Sequence, residues 1–152
     1  MKTVNYSIIE KFRLGTYKKE CIFRLNMEEL MINIICVGFG GFIGAVVRYI
    51  VSIYASKVFL SKIPIGTLIV NILGGFLIGI IMNMSIKTDL LSTQLKLFLT
   101  TGIMGGLTTF STFSYETIML IEEKNFIFAL INIVLNVLLS LGGVVIGKWI
   151  IH

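Results

Sequence analysis

Residues 63–86 read IPIGTLIVNILGGFLIGIIMNMSI, 24 positions without one Asp, Glu, Lys or Arg. A helix rises about 1.5 Å per residue and the hydrocarbon layer of a bilayer is about 30 Å thick, so roughly 20 such residues cross it. Three more runs lack those four residue types: 18 positions at 30–47, 19 at 97–115 and 23 at 125–147. The fold class that follows is an all-α integral membrane protein with four transmembrane helices. Their expected extents are Met31 to about Tyr54, Ile65 to about Ile86, about Leu95 to Ile121, and Phe126 to Ile151.

Composition agrees. The 152 residues are 56% hydrophobic and 14% charged, against about 25% charged in ordinary globular chains, and the mean hydropathy is +0.95. A disordered chain is excluded by that hydrophobicity, and a β-barrel by runs that do not alternate. The net charge is +5, and six of the thirteen basic residues, Lys2, Lys11, Arg13, Lys18, Lys19 and Arg24, lie in the N-terminal tail. Charge flanking a membrane span is attracted to lipid headgroups, so the lipid bilayer, and no nucleic acid, is the implied partner. Cys36 lies inside an apolar run and Cys21 in the polar tail, so no disulfide is expected between them.

The chain divides into a tail, residues 1–30, and a four-span domain, residues 31–152. The tail has no apolar stretch followed by a small-residue cleavage site, so no secretory signal is read there and the first helix is expected to stay. Two readings of it stay open. Ile8, Ile9, Phe12 and Leu14 can line one side of an amphipathic helix on lipid headgroups, or the start is Met27 or Met31 and the tail is a translated leader.

Fourteen of the fifteen glycines fall inside the spans. Gly40 with Gly44, Gly75 with Gly79 and Gly143 with Gly147 are small-xxx-small pairs, which let helix backbones approach where no hydrophobic effect drives association. The other intramembrane signal is uncharged polarity, which is costly in lipid unless it finds partners. Thr67 and Asn71 are four apart, as are Asn132, Asn136 and Ser140, so each set lines one helix face. In the third span Gly105-Gly106-Leu107-Thr108-Thr109 is a poor continuous helix, so the third helix is expected to be broken. The break frees backbone carbonyls at the membrane centre, an arrangement that commonly coordinates a small cation or directs a half-helix end at an anion. Phe110 and Phe113 follow it on one face, and a phenyl ring can face an anion with its positive edge.

Catalytic chemistry is missing. The sole histidine, His152, is the last residue and Glu116 the only intramembrane carboxylate, so no nucleophile and base pair forms and no enzyme is expected. The run Gly38-Phe39-Gly40-Gly41-Phe42-Ile43 fails as a dinucleotide loop because Ile43 replaces the third glycine and no strand precedes it.

Topology follows from charge. Outside the tail and Arg48, one side carries Lys87, Lys96 and Lys148 and the other Lys57, Lys62 and Lys124. That balance sets no orientation, which permits insertion both ways and an antiparallel homodimer; the six basic residues of the tail, where it is translated, favour a cytoplasmic N-terminus instead, and that conflict favours Met31 as the start.

Gly41-Phe42-Ile43-Gly44-Ala45 leading to Arg48-Tyr49, Gly66-Thr67-Leu68-Ile69-Val70-Asn71-Ile72-Leu73-Gly74, and Gly105-Gly106-Leu107-Thr108-Thr109-Phe110-Ser111-Thr112-Phe113-Ser114 together resemble the CrcB/Fluc fluoride channel family. The resemblance covers residues 31–151 and leaves out only the tail. It implies dual-topology subunits of four helices that pair antiparallel in the cell inner membrane or plasma membrane. Each dimer would carry two pores for passive fluoride export, which lowers cytoplasmic fluoride, and one structural sodium ion. By motif position Phe110 and Phe113 would supply ring edges and Asn71 its side-chain amide. Ser111, Ser114, Thr117, Asn136 and Ser140 would form a polar track, and Arg48 would concentrate anions at the entrance. Gly105 and Thr108 would offer carbonyls to sodium. Glu116 would either bond within the track or snorkel from the span's end. Two other classes compete. A proton-coupled drug exporter needs a carboxylate in the first span, which has none, and a non-transporting assembly factor would leave the polar faces as glue between helices.

Overall fold

The computed structural model describes residues 6–87 and 91–151, without the side chains of residues 6–25. The expected lipid-facing side of Ile8, Ile9, Phe12 and Leu14, and His152, lie outside the described residues. The described chain is helical: α1 (Tyr6–Val58), α2 (Ile65–Lys87), α3 (Thr93–Leu97), a π-helical segment (Phe98–Met104), α4 (Gly105–Leu107), α5 (Phe110–Glu122) and α6 (Phe126–Ile150). Among the described residues three helices are long and apolar enough to cross a membrane: Asn26–Val58, Ile65–Lys87 and Phe126–Ile150. The chain is thus a multi-pass membrane protein. The third apolar run is instead divided among α3, the π-helical segment, α4 and α5.

The chain forms two units, Met1–Ile35 and Cys36–His152. The first consists, in its described part, of helix alone.

In the second unit α2 and α6 interlock through the paired glycines. A Cβ on Gly75 would meet Ser140 O at 2.6 Å, one on Gly143 would meet Ile72 O at 3.0 Å, and ones on Gly79 and Gly147 would strike Val144 O and Phe76 O. A side chain at Gly75, Gly79 or Gly147 would force the helices apart, and one at Gly143 would press on its neighbour, so the close approach rests on glycine. Gly40 and Gly44 of α1, and Gly106 opposite them, do the same between α1 and the broken segment. A Cβ on Gly40 would lie 2.5 Å from Phe98 O, one on Gly106 would lie 2.5 Å from Gly41 O, and one on Gly44 would strike Ile103 O.

The two ends of the bundle are fastened by polar side chains. At one, Lys62 Nζ donates to Asn125 Oδ1 at 3.1 Å, joining the α1–α2 connector to the α5–α6 turn. In that turn Lys124 takes φ 61° and Asn125 N donates to Leu120 O at 2.8 Å, a left-handed helix end that reverses the chain in few residues. At the other end Asn83 Nδ2 donates to Lys148 O at 2.7 Å and Lys87 Nζ to Ile151 O at 3.1 Å. Helices α2 and α6 therefore run parallel, each from the Lys62 end to the Lys87 end. The broken segment returns the other way.

Candidate functional site

The break lies in the segment that the glycines of α1 let approach. Between Phe98 and Met104 the helix widens into π-turns, with Gly105 N donating back to Thr100 O, and π-turns of this kind are rare and concentrate at functional sites. Thr108 and Thr109 are then extended, at φ −81°, ψ 156° and φ −151°, ψ 123°. Thr109 starts α5 as its cap, its hydroxyl accepting from Thr112 N at 3.2 Å. A β-branched residue with a hydroxyl suits that role because it favours extended backbone and satisfies an orphan N–H.

The break leaves Gly105, Gly106, Leu107 and Thr108 without the amide donors a continuous helix would supply. Asn71 of α2 compensates at the neighbouring peptide. Its Oδ1 accepts from Thr109 N at 2.9 Å and its Nδ2 donates to Thr109 O at 3.2 Å, so one side-chain amide closes on both backbone groups of Thr109. The second Nδ2 hydrogen goes to Asn136 Oδ1 at 3.0 Å. Both amide hydrogens of Asn71 therefore go to protein acceptors in this arrangement, where the resemblance implied a donor to the anion.

A cavity of about 490 Å³ lies beside the break, and Asn71, Thr108, Phe110, Phe113, Asn136 and Ser140 line it, with Gly105 at its wall. The rings of Phe110 and Phe113 are 5.6 Å apart and inclined by 55°. Phe113 is packed at 8% exposure and Phe110 stands open at 79%. Ser140 Oγ is buried and has no hydrogen-bond partner among the described residues, so its hydroxyl is the uncommitted donor of the wall. Thr108 Oγ1, by contrast, donates to Met104 O at 2.9 Å.

Other predicted residues sit outside the cavity. Ser114 Oγ donates to Phe110 O at 2.9 Å and Ser111 Oγ pairs with Thr109 Oγ1 at 3.2 Å. Thr117, buried, donates to Phe113 O at 2.7 Å. It is thereby tied to Phe113 of the cavity wall, and it also accepts from Asn132, whose Nδ2 donates to Thr117 Oγ1 at 2.9 Å. Asn132 was legible on the same helix face as Asn136 but was not assigned to the site. Glu116 Oε1 accepts from Thr67 Oγ1 at 2.9 Å, a bond to α2 rather than to the serines and threonines of its own helix. Arg48 reaches inward, its Nη1 donating to Thr108 O at 3.2 Å.

The carbonyls of Gly105 and Thr108 suit a hard monovalent cation by chemistry, being neutral oxygens without helical donors. Gly105 is exposed on the single chain. Thr108 O already accepts from Arg48, but a carbonyl has two lone pairs and retains one. The oxygens are of the kind such an ion takes, and the Arg48 guanidinium, itself a cation, already lies on one of them.

Comparison with known proteins bears on the same segments. The family model described as CrcB-like protein, Camphor Resistance (CrcB), matches residues 35–148. A protein of Clostridium novyi (strain NT) named fluoride-specific ion channel FluC is 57% identical over 122 residues, covering 80% of this chain and 94% of its own. Proteins of the same name are 50% identical in Ruminiclostridium cellulolyticum (strain ATCC 35319 / DSM 5812 / JCM 6584 / H10), with 80% of this chain and 93% of that one covered, and 43% identical in Shewanella sp. (strain W3-18-1), with 80% and 97% covered. The glycine pairs, the break and the Asn71 clasp all lie inside the matched residues, and the chain belongs to the CrcB family.

Proposed function

We propose that this chain is a subunit of a fluoride-specific channel, not an enzyme, that lets fluoride leave the cell passively across the inner or plasma membrane. The observation that carries the reading is the cavity wall. Two phenyl rings and the uncommitted Ser140 hydroxyl meet beside unwound backbone. Fluoride is small and strongly hydrated, so a pore must replace its water with donors, and neutral ones hold it weakly enough to let it go. Fluoride that enters a cell as neutral acid and dissociates is trapped there as the anion, and a passive pore relieves it. The names of the relatives, at 43 to 57% identity, support the same substrate.

In this reading Phe110 and Phe113 turn ring edges to the ion and Ser140 donates a hydrogen bond. Asn71 holds the break in place and can turn one amide hydrogen from a protein carbonyl to the anion, exchanging one bond for another. Asn136 borders the route, and Ser111, Ser114 and Thr117 continue it as hydroxyls along α5. Arg48, cationic beside the break, draws anions inward. Sodium held by the carbonyls of Gly105 and Thr108 would compensate the dipoles exposed there.

Four crossings and an antiparallel homodimer complete the proposal. The broken segment returns from the Lys87 end to the Lys62 end of α2 and α6, the work of a fourth crossing. Phe110, Ser111 and Thr112 are exposed on one turn of the single chain, as is Gly105, and hydroxyls and free carbonyls facing lipid are unfavourable. A second copy covering that face would bring a second pair of carbonyls to the sodium. Even lysine counts on the two sides leave both orientations open.

Purified protein reconstituted into fluoride-loaded vesicles should release fluoride once a potassium ionophore balances the charge. Vesicles that stay sealed to fluoride would overturn the reading. Single cysteines placed in the α1–α2 connector and labelled from outside intact cells should react in about half of the molecules, the fraction that equal insertion in two directions gives when no charge bias acts. Labelling of all or none would defeat dual topology.

A further inference from the structure

Asn132 is fully buried, at 0% exposure, and does not touch the cavity that Asn71, Asn136 and Ser140 line. An amide in so apolar a place is costly unless paired, and Asn132 pairs in a way that has a direction. Its Oδ1 and its backbone carbonyl both accept from Asn136 Nδ2, at 2.9 and 3.1 Å. Two acceptors on one amino group settle how the Asn136 amide is turned, with NH2 toward Asn132 and Oδ1 toward Asn71. Turned over, Asn136 would set its carbonyl against two acceptors and its NH2 against the NH2 of Asn71, and buried like pairs of this sort are strongly disfavoured. With Asn136 Oδ1 presented, Asn71 gives it one hydrogen at 3.0 Å, gives the other to Thr109 O and receives Thr109 N–H.

We propose that Asn132 is a positioning residue: by orienting Asn136 it sets the donor sense of the chain Asn71–Asn136–Asn132, and so keeps Asn71 clasped on both backbone groups of Thr109. The clasp holds the start of α5, from which Phe110 and Phe113 extend into the cavity. At its other end Asn132 donates to Thr117 Oγ1, which donates to Phe113 O, so the same residue braces α5 at two levels. The consequence for transport rests on the fluoride reading; the consequence for Thr109 does not.

Asn132→Leu, of similar volume, removes the side-chain acceptor and leaves the backbone carbonyl. In the full-length protein, amide hydrogen exchange at Thr109 should quicken about tenfold, the effect of losing one buried hydrogen-bond constraint, while amides of α2 and α6 away from the chain keep their rates. Fluoride efflux should fall by a similar factor, and for exchange at Thr109 the effects of Asn132→Leu and Asn136→Leu should sum to less than their separate values, since both cut the same link and coupled residues are not additive. Unchanged exchange at Thr109 would overturn the proposal, as would an equal rise throughout α2, α5 and α6, which marks general loosening. Should Asn132→Leu fail to fold, Asn136→Leu cuts the same link from the other side and must quicken Thr109 exchange alike; no change there is equally fatal. Wild-type protein that carries no fluoride, with exchange at Thr109 still quickened by Asn132→Leu, would remove the transport reading and support the positioning role.

Discussion

Asn71→Asp should nearly abolish fluoride efflux. The carboxylate keeps the shape of the amide and its acceptor toward Thr109 N, but it turns an oxygen toward Thr109 O and Asn136 Oδ1, where Nδ2 now donates at 3.2 and 3.0 Å. Each buried acceptor left without its donor costs about 1–3 kcal/mol. A fixed negative charge then borders the cavity, and at an effective dielectric of 20 two unit charges about 4 Å apart repel by about 4 kcal/mol. Together these effects predict a fall of about a thousandfold or more. The measurement is efflux from proteoliposomes read with a fluoride electrode, with gel filtration to show that the variant is folded. A rate equal to wild type would take Asn71 out of the pathway.

The double replacement of Phe110 and Phe113 by Ile should be nearly as severe. Isoleucine preserves much of the apolar volume, and Phe110 is 79% exposed on the single chain, so stability should change by only about 1–3 kcal/mol, most of it at the packed Phe113. What is lost is the ring edge, because an aliphatic group has no quadrupole to turn toward an anion. With about 1.5 kcal/mol assigned to each ring, the pair accounts for about a hundredfold in rate. Single replacements should each show about a tenfold loss. A double variant that conducts at the wild-type rate would mean that the rings only fill space.

Residue order carried much of this architecture into view. Uninterrupted apolar runs specify membrane helices because lipid offers backbone amides no alternative partner, and α2 and α6 lie where their runs lie. The glycine pairs were legible for a similar reason. Only glycine lets a backbone come within the contact distance found at Gly75. The break after Gly105-Gly106-Leu107 was also visible, since glycines followed by two β-branched residues oppose a continuous helix.

The partners of the polar groups were not visible. Four-residue spacing places Asn132, Asn136 and Ser140 on one face, yet it says nothing of how each amide is turned or what stands opposite. Across the gap between α2, α5 and α6, Asn71 bonds Thr109 rather than lying free, Ser140 is left uncommitted, and Arg48 bends inward to Thr108 O. The π-turns from Phe98 to Met104 escaped for the same reason. A widened turn is held by contacts with a neighbouring helix, here Gly40 and Gly44, more than by local preference.

Membrane insertion, the number of apolar runs, the close-packed faces and the point of breakage were thus settled by the sequence by itself, because each depends on solvation or on backbone sterics along a single stretch. Which donor meets which acceptor was decided only by the tertiary structure, because a hydrogen bond needs two groups within about 3 Å and these groups come from helices as much as 65 positions apart in the chain.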